Sequence, residues 1–219
     1  MADKKVAKAA KTAKIVVCGA GGAGRETMDM LESMNADSRW DIVGFADAGA
    51  FEGPVRGYPV MSEDDLLCYP DPIEAVISVG LPASREKIFQ KFSKNPNVSF
   101  PAIVHPTSIV AGGVCLPEAV LIGAFCTVST DAIIGRGVFL NGHCIIGHDS
   151  KIGDFSALMA FSFIAGNVII GKGVSAGASS TVVQGLAVGD EAFLCVGSVI
   201  VRDVGKGAKM MGNPARMIG

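Results

Sequence analysis

Between Val110 and Ile200 the apolar positions of this 219-residue chain recur every six residues. The series runs Val110, Leu116, Ile122, Val128, Ile134, Leu140, Ile146, Ile152, Leu158, Ile164, Ile170, Ala176, Val182, Val188, Leu194 and Ile200, so fifteen of sixteen positions are Val, Ile or Leu. Four residues after each stands a small residue or Val, as at Val120, Cys126, Ala132, Ser150, Ser156, Ser162 and Ser198, with Leu186 the one exception. A period of six matches neither an α-helix nor a long alternating strand; it is the signature of a parallel β-helix. The spacing predicts one short strand and one bend per hexapeptide, with three faces closing a coil of about eighteen residues. About five coils should stack at roughly 4.8 Å, the strand spacing of any sheet, with no loop inserted. Seven positions directly after the aliphatic one are glycine (Gly123, Gly135, Gly147, Gly153, Gly171, Gly177 and Gly189), which points to permissive torsions at the bends.

Upstream the pattern changes. Residues 14 to 24, KIVVCGAGGAG, are an apolar strand running into Gly19-x-Gly21-x-x-Gly24, followed by a helical pattern through Met28 and Leu31. Glycines so spaced let a strand-to-helix turn approach a phosphate and aim helix amides at it. A second strand, DIVGFAD, ends at Asp47, where a Rossmann unit often sets an acid against a ribose. A third, AVISVG, ends at Gly80. About three parallel strands make half of a dinucleotide fold, which suits a mononucleotide.

The expected organisation is therefore a flexible tail (1–13), a Rossmann-like α/β domain that binds a nucleotide (14–100), a β-helix (101–204) and a C-terminal cap (205–219). The proline-bearing stretch around Pro96, Pro101 and Pro106 marks the junction, with Val98 and Val104 already in the six-residue register. A solenoid needs its open end covered, which is the task expected of the tail after Ile200.

Two of the three histidines fall in NGHCIIGHDSKIGDF, as His143 and His148, both outside the inward positions. His148 precedes Asp149, and a carboxylate beside an imidazole orients it for proton transfer. Whole coils from His148 lead to Gly166, Gln184 and Arg202, a ladder along one edge. A base, a backbone amide without a side chain and a distant cation suit an elongated anionic ligand such as coenzyme A. A zinc site of β-helix carbonic anhydrase type cannot be built in register, because the positions one and two coils upstream hold Phe125, Thr107, Thr130 and Gly112.

Taken together, Gly19 to Gly24, Gly44-Phe-Ala-Asp47, Gly80 with Arg85, His105-Pro106, Asn141, His148-Asp149, Ile152-Gly-Asp154, Ala165-Gly-Asn167 and Gly212-Asn-Pro-Ala-Arg216 resemble the sugar O- and N-acyltransferases of the sialic acid O-acetyltransferase and bacillosamine-pathway type. The resemblance spans residues 14 to 219. It implies a left-handed coil and a homotrimer with clefts between adjacent β-helices. It also implies acetyl-CoA as cosubstrate, His148 as general base, Asp149 as its support, and the Gly166 amide as the donor to the thioester oxygen. Gly19, Gly21, Gly22, Gly24, Asp47, Gly80 and Arg85 are then the expected nucleotide-sugar contacts, and Gly166, Gln184, Arg202, Lys206, Asn213 and Pro214 the expected CoA contacts. The expected acceptor is the amino group of a nucleotide-linked deoxysugar, with a hydroxyl as the alternative. The chain departs from that family's pattern at Ala23 and Ala157, where histidines are common, and the second departure leaves the grip on the acceptor open.

Composition narrows the partners further. At 49% hydrophobic, 18% charged and a net charge of -2, nothing favours nucleic acid or an anionic membrane. The lysine-rich start lacks the apolar run of a signal peptide, and six cysteines form no CxxC pair, so a cytoplasmic protein without a metal is expected. Only Arg136, Lys151 and Lys172 supply cations between 110 and 200, too few to clothe a solenoid in water, which argues that part of its surface is buried between chains.

Overall fold

The computed structural model describes residues 12–218; the expected tail lies outside them up to residue 11, and Ala13 already opens the first strand. The N-terminal unit is a five-stranded parallel sheet of order β3-β2-β1-β4-β5, built from β1 (Ala13–Cys18), β2 (Trp40–Asp47), β3 (Val60–Ser62), β4 (Ile73–Ile77) and β5 (Val98–Ser99). Helices α1 (Gly22–Met34), α2 (Glu63–Leu67) and α3 (Pro82–Phe92) complete it. The sequence shows three of these strands. The two short edge strands lack a hydrophobic run long enough to stand out, and Val98 pairs with Ile73 in this sheet instead of joining the β-helix.

Beyond it the chain winds as a left-handed parallel β-helix of two-residue strands. The first face stacks Ile103–Val104, Leu121–Ile122, Phe139–Leu140, Ala157–Leu158, Ser175–Ala176 and Phe193–Leu194. The second stacks Ile109–Val110 through Val199–Ile200, and the third Ile133–Ile134 through Ala187–Val188. Every pairing advances by eighteen residues, as in Ile145↔Phe163 and Phe163↔Thr181. Each aliphatic position from Ile122 to Ile200 is at most 4% exposed, and burying such a side chain contributes roughly 1.5–3 kcal/mol. An antiparallel hairpin, Lys209–Gly212 with Ala215–Met217, closes the last coil and buries Met210 and Ala215 against it.

The small positions do more than save space. Ser150 Oγ donates to the Ala165 carbonyl (2.8 Å) and accepts from the Val168 amide (3.1 Å), and Ser156 makes the same pair with Gly171 and Val174. These hydroxyls satisfy backbone groups that the corners take out of the ladder, so none of the described buried side-chain polar atoms lacks a partner.

The glycines that follow the aliphatic positions serve a different purpose from the one their type suggests. None has a positive φ; the left-handed residues stand two places later, at Phe125 (φ 58), Asp149 (φ 58), Phe155 (φ 56) and Glu191 (φ 60) among others. What requires glycine is the neighbouring coil. A Cβ on Gly147 would lie 2.5 Å from the Gly166 nitrogen, and one on Gly153 would lie 2.5 Å from the Gly171 carbonyl carbon. Coils at sheet spacing leave no room there for a methyl group.

The N-terminal unit sits on the first face. Outward-pointing Ile103, Leu121, Phe139 and Ala157 are all buried in one cluster with Ile15, Val17, Met28, Phe45 and Val76. The edge opposite that face, between the second and third faces, carries His148.

Candidate active site

At that edge His148 Nδ1 and Asp149 Oδ2 are 2.6 Å apart, each side chain about half exposed. A carboxylate only accepts, so the pair sets the proton on Nδ1 and leaves the Nε2 lone pair free. One coil further, the imidazole lies against the backbone of Gly166, where an added Cβ would come within 2.5 Å of Nε2. The in-register pairing of Ile145, Phe163, Thr181 and Val199 carries Gln184 and exposed Arg202 along the same edge.

The Gly166 amide has no partner among the described residues. At the equivalent place on another edge, the amides of Arg136 and Lys172 donate to Asp154 Oδ1 (2.9 Å) and Asp190 Oδ1 (2.8 Å) from the next coil. On the His148 edge the next coil offers Gln184 in place of that aspartate, and the donor stays open.

The remaining expected CoA contacts do not all gather here. Lys206 stands on the edge between the third and first faces, 3.5 Å from Glu191. Asn213 and Pro214 form the exposed turn of the terminal hairpin. Beside it Arg202 and Arg216 line one cavity of about 210 Å³. Arg216 entered the sequence reading only as part of a motif, because nothing in its spacing ties it to Arg202.

On the N-terminal side, Gly19 (φ 106) turns the chain out of β1, and Gly24 has no room for a Cβ, which would meet the Gly19 carbonyl oxygen at 1.8 Å. Gly21 and Gly22 are open to solvent at the start of α1. The Asp47 carboxylate braces this loop, accepting from the Ala20 amide (2.7 Å) and the Gly49 amide (2.8 Å). Gly80 faces Met159 of the β-helix, to which a Cβ would come within 3.7 Å.

Arg85 lies in the interior. It is fully buried and bonds four backbone carbonyls, donating from Nε to Gly137 (3.0 Å) and from its terminal nitrogens to Ile77 (2.7 Å), Val79 (3.2 Å) and Ala119 (3.4 Å). Burial pushes its pKa down to about 9, which leaves it charged at neutral pH. These bonds make Arg85, expected from the resemblance as a nucleotide contact, a rivet between β4 and two corners of the β-helix. A sequence cannot distinguish the two roles, since both need an arginine after the third strand.

The three histidines do not converge. His105 and His143 share the edge between the first and second faces, where His143 stacks on Phe125 (5.0 Å between centroids) and Phe161 (4.6 Å). Ala157 is sealed beneath the N-terminal unit. Among the described residues no helix is long and apolar enough to cross a membrane.

Residues 14–92 match the PglD N-terminal domain family. Over 211 residues, 91% of this chain and 94% of the relative, the protein is 29% identical to a GDP-perosamine N-acetyltransferase of Escherichia coli O157:H7. The N-terminal unit is thus of the PglD N-terminal domain type, and the chain as a whole is similar to sugar acetyltransferases. Similarity of fold to solved structures extends over nearly the whole molecule. A mutant perosamine N-acetyltransferase from Caulobacter crescentus, solved with CoA and GDP-perosamine, superposes with a TM-score of 0.87 at 23% identity, covering 95% of this chain and 98% of its own. The acetyltransferase domain of PglB from Neisseria gonorrhoeae does so with a TM-score of 0.86 at 24% identity, covering 94% and 99%.

Proposed function

We propose that the protein transfers an acetyl group from acetyl-CoA to the amino group of a nucleotide-linked deoxysugar. The observation that carries this reading is the His148–Asp149 pair, whose free Nε2 lies over the backbone of Gly166 beside an open amide donor. His148 Nε2 takes the proton from the acceptor amine as its nitrogen attacks the thioester carbon, and Asp149 supports the imidazolium that forms. The Gly166 N–H stabilises the tetrahedral oxyanion. When that intermediate collapses, the C–S bond breaks and the imidazolium returns the proton to the departing CoA sulfur. The relative named above as a GDP-perosamine N-acetyltransferase supports an amine as the acceptor.

The glycine loop of Gly19, Gly21, Gly22 and Gly24, braced by Asp47 and flanked by Gly80, holds the nucleotide at the start of α1. Gln184 and Arg202 along the His148 edge hold CoA together with Asn213 and Pro214 of the terminal hairpin, and Lys206 reaches the groove of a neighbouring copy.

The assembly follows from where these parts lie. The glycine loop sits with its domain on the first face, and His148 stands on the opposite edge, so the base in one chain works on a nucleotide sugar held by another. The second face offers the contact surface, with Ile109 68% exposed and Ile145 and Phe163 each 41% exposed. A homotrimer places three such faces around one axis, in the cytoplasm, where acetyl-CoA is made.

The test is acetyl transfer from acetyl-CoA, followed as free thiol, to GDP-, UDP- and dTDP-linked amino-deoxysugars. Turnover of one of them with the mass gain of an N-acetyl group is the expected result. No turnover with any amine, alongside turnover of a neutral sugar hydroxyl, would overturn the reading.

A further inference from the structure

A cavity of about 410 Å³ lies between α1 and the edge that joins the first and second faces. Its helical wall comes from positions 23, 26, 27 and 30, the i, i+3, i+4, i+7 face of α1 turned toward the β-helix. Met30, Leu121 and Phe139 make one side apolar, and Asn141 and His143 contribute polar edges. The cavity begins at Ala23, directly after the glycine loop. A hexose joined to a diphosphate held at that loop would enter it.

Two carboxylates line this space, and they differ. Asp29 is ion-paired with Arg56. Glu26 has neither a cation nor a hydrogen-bond donor beside it among the described residues. The small side chain at Ala23 leaves Glu26, one turn along, as the unpaired ionisable group on the helical wall.

Resting on the acetyltransferase reading above, we infer that this cavity receives the deoxysugar of the acceptor and that Glu26 selects a cationic amine there over a hydroxyl. The apolar side suits a deoxygenated carbon. The Glu26 carboxylate accepts a charge-assisted hydrogen bond from the ammonium form, a bond that a neutral hydroxyl makes much less strongly. The bound ammonium first releases one proton to solvent, which frees the nitrogen lone pair, and the neutral amine gives a second to His148 of a neighbouring copy as the C–N bond forms, while the third stays on the amide nitrogen. Glu26 thus sets specificity, and the chemistry stays with His148.

The experiment compares the wild type with Glu26→Gln, using nucleotide-linked 4-amino-4,6-dideoxyhexoses and the matching 4-hydroxy sugars on the same nucleotide. Glu26 is exposed on a helix surface, so the variant keeps the fold. Expected is a rise in KM for the amine of about 10- to 100-fold, the worth of a hydrogen bond to a charged group. The KM for acetyl-CoA and the affinity for the hydroxy sugar should be unchanged. An unchanged KM for the amine, or an equal loss for amine and hydroxy ligands, would overturn the role of Glu26 while leaving the acetyltransferase reading intact. A wild type that acetylates no amino sugar would remove both.

Discussion

Gly166 and His148 occupy the same space one coil apart: a methyl group at 166 would stand 2.5 Å from His148 Nε2. Gly166→Ala must therefore push the imidazole off its line while leaving the apolar prism untouched. The variant should melt close to the wild type, with kcat lowered by about 10²- to 10³-fold, the scale of a displaced base or a lost oxyanion donor. Single-turnover kinetics on the folded variant would measure it.

His148→Asn removes the base itself. Turnover should fall by roughly 10²- to 10⁴-fold with the Kd for acetyl-CoA retained, because a general base contributes to the chemical step and little to ground-state binding. Asp149→Asn should lose less, since it disturbs only the tautomer and the support of the imidazolium. His143→Asn, by contrast, loses two stacked rings worth about 0.5–1.5 kcal/mol each and should leave kcat within a few-fold. Equal losses from the His143 and His148 variants, read by kcat and calorimetry side by side, would contradict this assignment.

Arg85→Met strips four carbonyls of their donor at a buried junction. Unfolding in urea should show a loss of about 3 kcal/mol or more, as hydrogen bonds to a charged group are each worth about 1.5–3 kcal/mol and do not add fully. A ligand contact behaves in the opposite way. If the variant kept its stability and lost only nucleotide-sugar affinity, Arg85 would be a binding residue after all.

Phe163→Glu sets a charge on the exposed second face. Light scattering should report a monomer, circular dichroism should report the native fold, and acetyl transfer should be lost with the assembly. Wild-type activity in a monomeric variant would mean that each chain completes its own site.

Thiol chemistry tests the interior. Cys68 and Cys115 are exposed, whereas Cys18, Cys126 and Cys144 are buried. Burial pushes the Cys18 thiol up, and a hydrogen bond with Cys126 together with burial pushes up that of Cys144. A disulfide reagent at neutral pH should therefore label Cys68 and Cys115 promptly, and Cys18 and Cys144 only in denaturant. Fast labelling of Cys144 in the native protein would show that the coils open there.

What the sequence determined by itself was whatever repeats or lies close along the chain. A coil of eighteen residues returns each side chain to the same face, so a one-dimensional period of six specifies the buried columns, the His148 ladder and the adjacency of Asp149. The glycine loop was legible for the same reason, since its chemistry is local to one turn. Tertiary structure alone decided the rest. The purpose of Gly147 and Gly153 depends on how closely the next coil approaches, and the role of Arg85 on which carbonyls surround it. The seat of the N-terminal unit on Leu121 and Phe139, which opens a cavity beside Glu26 and leaves His148 on the opposite edge, depends on how two surfaces dock. Contacts between elements far apart in the chain carry no spacing to read, and they are set by the complementary shape of packed surfaces.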